Sequence, residues 1–275
     1  MDPLALLKAI ILGLVEGLTE FLPVSSTAHL ILLSQALVFE RSETFKVVIQ
    51  FGAILALVTV YFQKIWTTTT SLPSRPESRR FALSVILAFL PAIPAGILLE
   101  ETLSRVFLAD VISPTAGIII ASTLIVGGII MLLVERFRPV PVHSDPEQLP
   151  LWKSFAVGCC QALALIPGVS RSGATIVGAL SLGVDRRAAA EFSFFLSIPT
   201  MAAATVYKVY KDWEQLDFSN GALIGVGFVA AFIAAFIVVK PFLALVSRFG
   251  FAPFAFYRIA LGLVVIGTIQ MGLWG

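Results

Sequence analysis

The sequence predicts an all-α polytopic membrane protein: six transmembrane helices plus two re-entrant helical hairpins, arranged as two inverted-topology repeats. Three observations lead there. Hydrophobic residues make up 58% of the 275 positions and charged residues only 13%. Uncharged runs of membrane-crossing length recur along the chain, and the second half repeats the order of features in the first. Soluble domains carry about 25% charge, so a wholly water-exposed surface is excluded. Disorder, which needs low hydrophobicity, is excluded on the same count. A nucleic-acid partner is not expected either, since a net charge of +2 supplies no basic face. Cys159 and Cys160 are adjacent within an apolar stretch and form no disulfide framework.

Crossing a hydrocarbon core about 30 Å thick takes about 20 helical residues. Spans are expected at 47–63, 81–99, 112–134, 192–207, 221–239 and 251–274, the last tolerating Arg258. No signal peptide is expected, because Glu16 and Glu20 interrupt the first apolar run. Two regions fit no simple span. Residues 4–39 carry Glu16, Glu20 and His29 and are broken by Pro23; residues 153–183 carry Arg171 and are broken by Pro167-Gly168. Each reads as helix, break and second helix opening on hydroxyl N-caps. Non-helical backbone at membrane depth is tolerated only against protein or a water-filled cavity, so both hairpins should face the interior.

A shift of 145 residues places Gly13 on Gly158, Glu16 on Gln161, and Val24-Ser25 on Val169-Ser170, with Pro23 and Pro167 one residue out of step. The halves are therefore 1–140 and 150–275. Three spans per half invert the second half, so the hairpins enter from opposite faces and meet at the repeat interface. The residues 141–150 serve only to join the halves. Basic residues concentrate in 64–80, 136–153, 186–187 and 240–248, which marks these segments as cytoplasmic.

The few charges placed deep carry the chemistry. Glu16 and Glu20 share one helix face, and a carboxylate there costs about 3 kcal/mol on insertion scales, which points to a metal or phosphate site. Ser25, Ser26 and Thr27 open a helix, where free N–H groups and the dipole favour an anion. His29, one turn from Ser26, is placed to take its proton or to attack phosphorus itself. In the second hairpin Ser170, Ser172 and Thr175 supply donors, and Arg171 offers a planar fork for phosphate oxygens. No Walker P-loop ending is present. Arg258 is expected to pair with a carboxylate or reach for the interface. His143 is expected to be solvated, and Gln50, Glu191 and Ser197 are left open as cavity residues.

The strings Glu16-Gly17-Leu18-Thr19-Glu20-Phe21-Leu22-Pro23-Val24-Ser25-Ser26-Thr27-Ala28-His29 and Pro167-Gly168-Val169-Ser170-Arg171-Ser172-Gly173-Ala174-Thr175 resemble the two signature motifs of the bacterial undecaprenyl-diphosphatase family, the bacitracin-resistance proteins. The resemblance extends over essentially the whole chain, including Glu191-Phe192-Ser193-Phe194. It implies hydrolysis of undecaprenyl diphosphate to undecaprenyl phosphate and inorganic phosphate, which recycles the cell-wall lipid carrier and confers bacitracin resistance. It also implies a divalent cation, Mg²⁺ or Ca²⁺, and a site open to the extracytoplasmic side of the bacterial cytoplasmic membrane. The partners implied are the polyprenyl diphosphate and the lipid bilayer; a homodimer is compatible with the sequence.

Read into that reaction, Arg171 and the N–H groups after each break hold the phosphates. Ser25, Thr27, Ser170, Ser172 and Thr175 bind phosphate beside them. Glu16 and Glu20 bind the cation or manage protons. Ser26 is the nucleophile with His29 as its base; the competing assignments are His29 itself and direct attack by water. A lipid flippase or secondary transporter would explain the inverted repeat equally well, though not the convergence of Glu, Ser, His and Arg. An intramembrane protease would need a Gly-x-Ser-x-Gly setting or paired aspartates, and neither is present.

Overall fold

The computed structural model describes residues 2–39, 42–107, 114–211, 213–216, 218 and 220–272. Among them the chain is helical, and the sole β-type pairing is an isolated bridge between His143 and Val184.

Asp2 opens the chain by accepting the Leu4 N–H, and Pro3 fixes the first helical φ of α1 (Pro3–Thr19). The helix stops before Pro23, which lacks an N–H and disfavours helical geometry at the residue before it. The chain then turns into α2 (Ser26–Ala36). The second half opens the same way. α8 (Leu151–Ala162) tightens into a 3-10 turn at Leu163–Leu165, breaks at Pro167-Gly168, and restarts as α9 (Arg171–Ser181).

Between and after these units run α3 (Glu43–Val60), α4 (Phe62–Ser71), α5 (Pro76–Phe89), α6 (Ala92–Phe107) and α7 (Pro114–Phe137). The second half continues with α10 (Arg186–Lys211), α11 (Gly221–Phe249) and α12 (Ala252–Gln270). Five helical stretches are long and apolar enough to cross a membrane, namely Pro76–Leu99 (α5 running into α6), α7, α10, α11 and α12, and α3 with α4 makes a sixth if that pair counts as one. The pair bends by 71°, so the expected span 47–63 stops at Val60. Gln63, Lys64 and the Thr67–Thr70 run explain the stop, being too polar to extend an apolar span. The expected span 81–99 falls within the membrane-crossing stretch Pro76–Leu99, which runs through the short break at Leu90-Pro91 between α5 and α6. Residues 112–113 and 273–274 of two other expected spans lie outside the described residues.

Small residues set the packing. Gly13 and Gly17 of α1 lie against the backbone of Gly227 and Ala231 on α11, and Gly158 of α8 lies against the carbonyl of Ala88 on α5. Without a side chain the backbones approach closely, which is what drives helix association where lipid removes the hydrophobic incentive. α7 packs on α12, α3 on α11 and α10, and α10 on α5. A phenylalanine cluster fills the centre: Phe194 meets Phe21 edge-on at 5.6 Å, and Phe195 meets Phe81 at 5.1 Å.

The segment 141–150 does more than join the halves, contrary to expectation. Its Val142 and His143 N–H groups donate to the Gly183 carbonyl, and Asp185 N–H donates to the His143 carbonyl. Glu147 pairs with Lys64, and Pro146 and Leu149 are buried. Nearby, Arg186 pairs with Glu135, and Lys153 donates to the Leu182 carbonyl at 2.6 Å. The proline-rich composition suggested a free linker; the unpaired N–H groups of an extended strand found the opened end of α9 instead.

Candidate active site

The two breaks meet in the core, and their backbones are shaped alike. Ser25 has φ 70° and Ser170 φ 71°, both in the left-handed region that non-glycine residues seldom occupy. Each is an N-cap: Ser25 Oγ accepts the Ala28 N–H at 3.4 Å, and Ser170 Oγ accepts the Gly173 N–H at 3.1 Å. Gly168, at φ 92°, packs against Thr123, where a side chain would have no room.

These turns bring the first residue of each second helix to one place. Ser26 Oγ donates to Glu20 Oε2 at 2.5 Å. Arg171 Nη2 donates to the other oxygen of the same carboxylate at 3.4 Å, and its Nη1 donates to the Ser193 carbonyl at 3.2 Å. Glu20 is 8% exposed, so a carboxylate, a hydroxyl and a guanidinium converge where water is scarce. They line a cavity of about 220 Å³, with Gln50, Gln161 and Thr200 among its other polar walls.

Arg258 holds the breaks together. It is 1% exposed, and its fork donates to five backbone carbonyls: Pro23 in the first break, Gly168 and Val169 in the second, and Thr123 and Leu124 on α7. The expected carboxylate partner or interfacial position is therefore corrected. The breaks leave carbonyls without helical partners, and one guanidinium has enough donors to satisfy several at once. Ser172 adds a direct tie, donating to the Leu22 carbonyl at 2.8 Å.

Of the residues expected at the site, Glu20, Ser25, Ser26, Thr27, Ser170 and Arg171 line the cavity. Glu16, His29, Ser172 and Thr175 are buried outside its lining. Thr175 Oγ1 lies against the Arg171 and Ser172 carbonyls and the Ser193 hydroxyl, so its contacts are within the protein. His29 does not hydrogen-bond Ser26. Its Nδ1 faces the Ser25 carbonyl at 2.8 Å and its Nε2 faces the Tyr257 hydroxyl at 2.6 Å. One turn of helix made the two residues neighbours, but the ring swings back over the preceding turn, and Glu20 occupies the hydroxyl instead. Of the open candidates, Gln50 lines the cavity, Glu191 pairs with Arg187 at 3.1 Å, and Ser197 donates to the Phe194 carbonyl.

Gln161, Thr200 and Tyr257 were missed from sequence. Gln161 had a signal, since it falls on Glu16 in the repeat; the other two had none beyond their place in apolar helices. Among the described residues no group of three or more His, Cys, Asp and Glu side chains gathers to hold a metal. The cavity donors, Glu20 carboxylate, Ser26 hydroxyl and Gln50 amide, are oxygen ligands suited to Mg²⁺ or Ca²⁺ when phosphate oxygens complete the shell.

Comparison with known proteins agrees along nearly the whole chain. The family model described as "Bacitracin resistance protein BacA" matches residues 9–264. The undecaprenyl-diphosphatase of Caulobacter vibrioides (strain NA1000 / CB15N) is 50% identical over 266 residues, covering 96% of this chain and 98% of that protein. Undecaprenyl-diphosphatase 2 of Paramagnetospirillum magneticum is 47% identical over 268 residues, covering 97% and 100%. The Paracoccus denitrificans undecaprenyl-diphosphatase is 49% identical over 262 residues, covering 95% and 96%. On these matches, the chain belongs to the bacitracin resistance protein BacA family.

Proposed function

We propose that this protein is a multi-pass membrane phosphatase that hydrolyses undecaprenyl diphosphate to undecaprenyl phosphate and inorganic phosphate. The relatives carry that activity in their names. The observation that carries the reading here is the Ser26 hydroxyl held 2.5 Å from one oxygen of Glu20, with Arg171 on the other. A flippase has no need of a hydroxyl aligned on a buried carboxylate.

In the forward reaction Ser26 Oγ attacks the terminal phosphorus while Glu20 takes its proton. The bond to the bridging oxygen breaks, and undecaprenyl phosphate leaves. Glu20 gives that proton to the departing phosphate and is a base again. Water then attacks the phosphoserine and passes a proton to Glu20, which hands it to Ser26 Oγ as the P–O bond to serine breaks and inorganic phosphate leaves. Arg171 and the N–H groups at the start of α2 and α9 face the oxygens on which charge accumulates. His29 orients the first break through the Ser25 carbonyl and does not exchange protons with Ser26. A divalent cation, carried in on the diphosphate and held by Glu20, would neutralise phosphate charge; Glu16, one turn back on the same face, supports Glu20 electrostatically.

The same reading takes the two helix–break–helix units as re-entrant hairpins of inverted repeats, 1–140 and 150–275. Support comes from the packing partners, which exchange under the repeat: α1 with α11 matches α8 with α5, α3 with α11 matches α10 with α5, and α7 pairs with α12. The face that gathers Lys64, Lys153 and Arg186 is cytoplasmic by its charge, and the cavity serves the opposite side of the cytoplasmic membrane.

The purified protein should release phosphate from a polyprenyl diphosphate, and Ser26→Ala and Glu20→Gln should each lose at least about 100-fold in turnover. Labelling with β-³²P substrate should mark Ser26. Full activity in both variants would remove Ser26 and Glu20 from the chemistry.

A further inference from the structure

Gln161 closes α8 with its amide in the cavity wall, 3% exposed. Its Oε1 lies 3.3 Å from the Thr200 hydroxyl, which donates to the Leu196 carbonyl at 2.7 Å. Its Nε2 has no hydrogen-bond partner. Arg171, also in the wall, is in the same condition at Nε. Buried donors without acceptors are costly and rare in folded proteins, so two of them around one cavity point to a ligand that brings acceptor oxygens. Both lie on the second hairpin. The carboxylate and hydroxyl that perform the chemistry lie on the first.

The split fits the two halves of a diphosphate. The phosphate under attack must reach Ser26, so the phosphate that stays esterified lies toward the donors facing it. A neutral amide suits that place, because a carboxylate would repel the ester phosphate. At the matching position of the first half the residue is Glu16, so the repeat has exchanged a charge for a donor where the anion sits.

We propose that Gln161, together with Nε of Arg171, forms the subsite for the phosphate that remains on the lipid, a polyprenyl monophosphate once the reaction is over. The assignment rests on the phosphatase reading. Gln161 is then a catalytic residue through the leaving group, because negative charge grows on that phosphate as the bridging bond breaks.

The test measures inhibition of the purified enzyme in detergent by C15 polyprenyl monophosphate and, separately, by inorganic phosphate. Gln161→Met should raise the inhibition constant for the monophosphate about tenfold, leave that for inorganic phosphate unchanged, and lower kcat. Gln161→Glu should lose monophosphate binding altogether, and Gln161→Asn should recover part of it. Ser26→Ala should bind the monophosphate as wild type does, read as a thermal shift. If Gln161→Met does not fold, Gln161→Asn carries the same comparison. Unchanged inhibition by both ligands makes Gln161 a purely structural residue, and a rise confined to inorganic phosphate assigns it to the transferred group; either overturns the subsite. A wild-type protein that binds the monophosphate but releases no phosphate from the diphosphate would sink the phosphatase reading alone.

Discussion

Ser25 and Ser170, 145 residues apart, share a positive φ of 70° and 71° in the wall of one cavity. Each caps the helix that follows, and each is followed by the residue that meets Glu20: Ser26 in one hairpin, Arg171 in the other. An L-residue at positive φ costs about 1–2 kcal/mol, and the cap bond offsets part of it. Were either serine to relax to ordinary helical or extended geometry, its successor would swing off the carboxylate.

Ser170→Ala should therefore cost about 1 kcal/mol or more, since it loses the cap and keeps the strain. Ser170→Gly should cost less, because glycine accepts positive φ freely. Thermal unfolding in detergent orders the two variants, and an alanine variant as stable as the glycine variant would contradict the strained cap.

His29 and Tyr257 stack with ring centroids 5.6 Å apart and share a hydrogen bond. If His29 positions the first break, His29→Gln and Tyr257→Phe should each lower turnover by about tenfold or less, and the double variant should be no worse than the poorer single one. The pH–rate profile should keep its shape. A loss of about 100-fold or more in His29→Gln with an altered profile would restore histidine as the general base.

Arg258→Met strips three carbonyls in the breaks, those of Pro23, Gly168 and Val169, of their donor, at about 1–3 kcal/mol for each left unsatisfied, while the Thr123 and Leu124 carbonyls keep their helical partners in α7. The variant should be recovered poorly or unfold well below the wild type. Arg258→Lys should rescue it only in part, because an ammonium has three donors and no planar fork. Full recovery with lysine would mean that charge alone matters at this position.

Gly17→Ala and Gly158→Ala each drive a methyl group into the backbone of the facing helix. Both should destabilise by about 1–3 kcal/mol, whereas Gly96→Ala, with open space around it, should be neutral or slightly stabilising. Equal melting temperatures for Gly17→Ala and Gly96→Ala would show that α1 and α11 leave room for a methyl group at their contact.

The helices and breaks were legible in the sequence because length, charge and proline are local properties. The pairing of Glu20, Ser26 and Arg171 was half legible: motif chemistry marked the three residues, and the repeat implied that their hairpins meet. The rest depended on distances no sequence pattern encodes. Whether His29 turns toward Ser26 or Tyr257 is decided by a ring rotation against α12, 228 residues away. Ser172 and Thr175 look like phosphate ligands by type, yet their hydroxyls are taken up by carbonyls that the break itself exposes. Arg258 suggested a missing carboxylate because side-chain arithmetic does not count broken backbone. The acceptors it found are peptide groups.

That choice of acceptors reaches further than anchoring. A trans peptide carries its N–H opposite its carbonyl, and no cis bond is present among the described residues. By holding the Val169 carbonyl at 2.9 Å, Arg258 turns the joined Ser170 N–H to the opposite side of the peptide plane. The guanidinium also polarises that peptide, so its amide proton is more positive than an ordinary one. The last helix of the bundle thus bears on the second break, and on the donor at the start of α9, through the plane of a single peptide group.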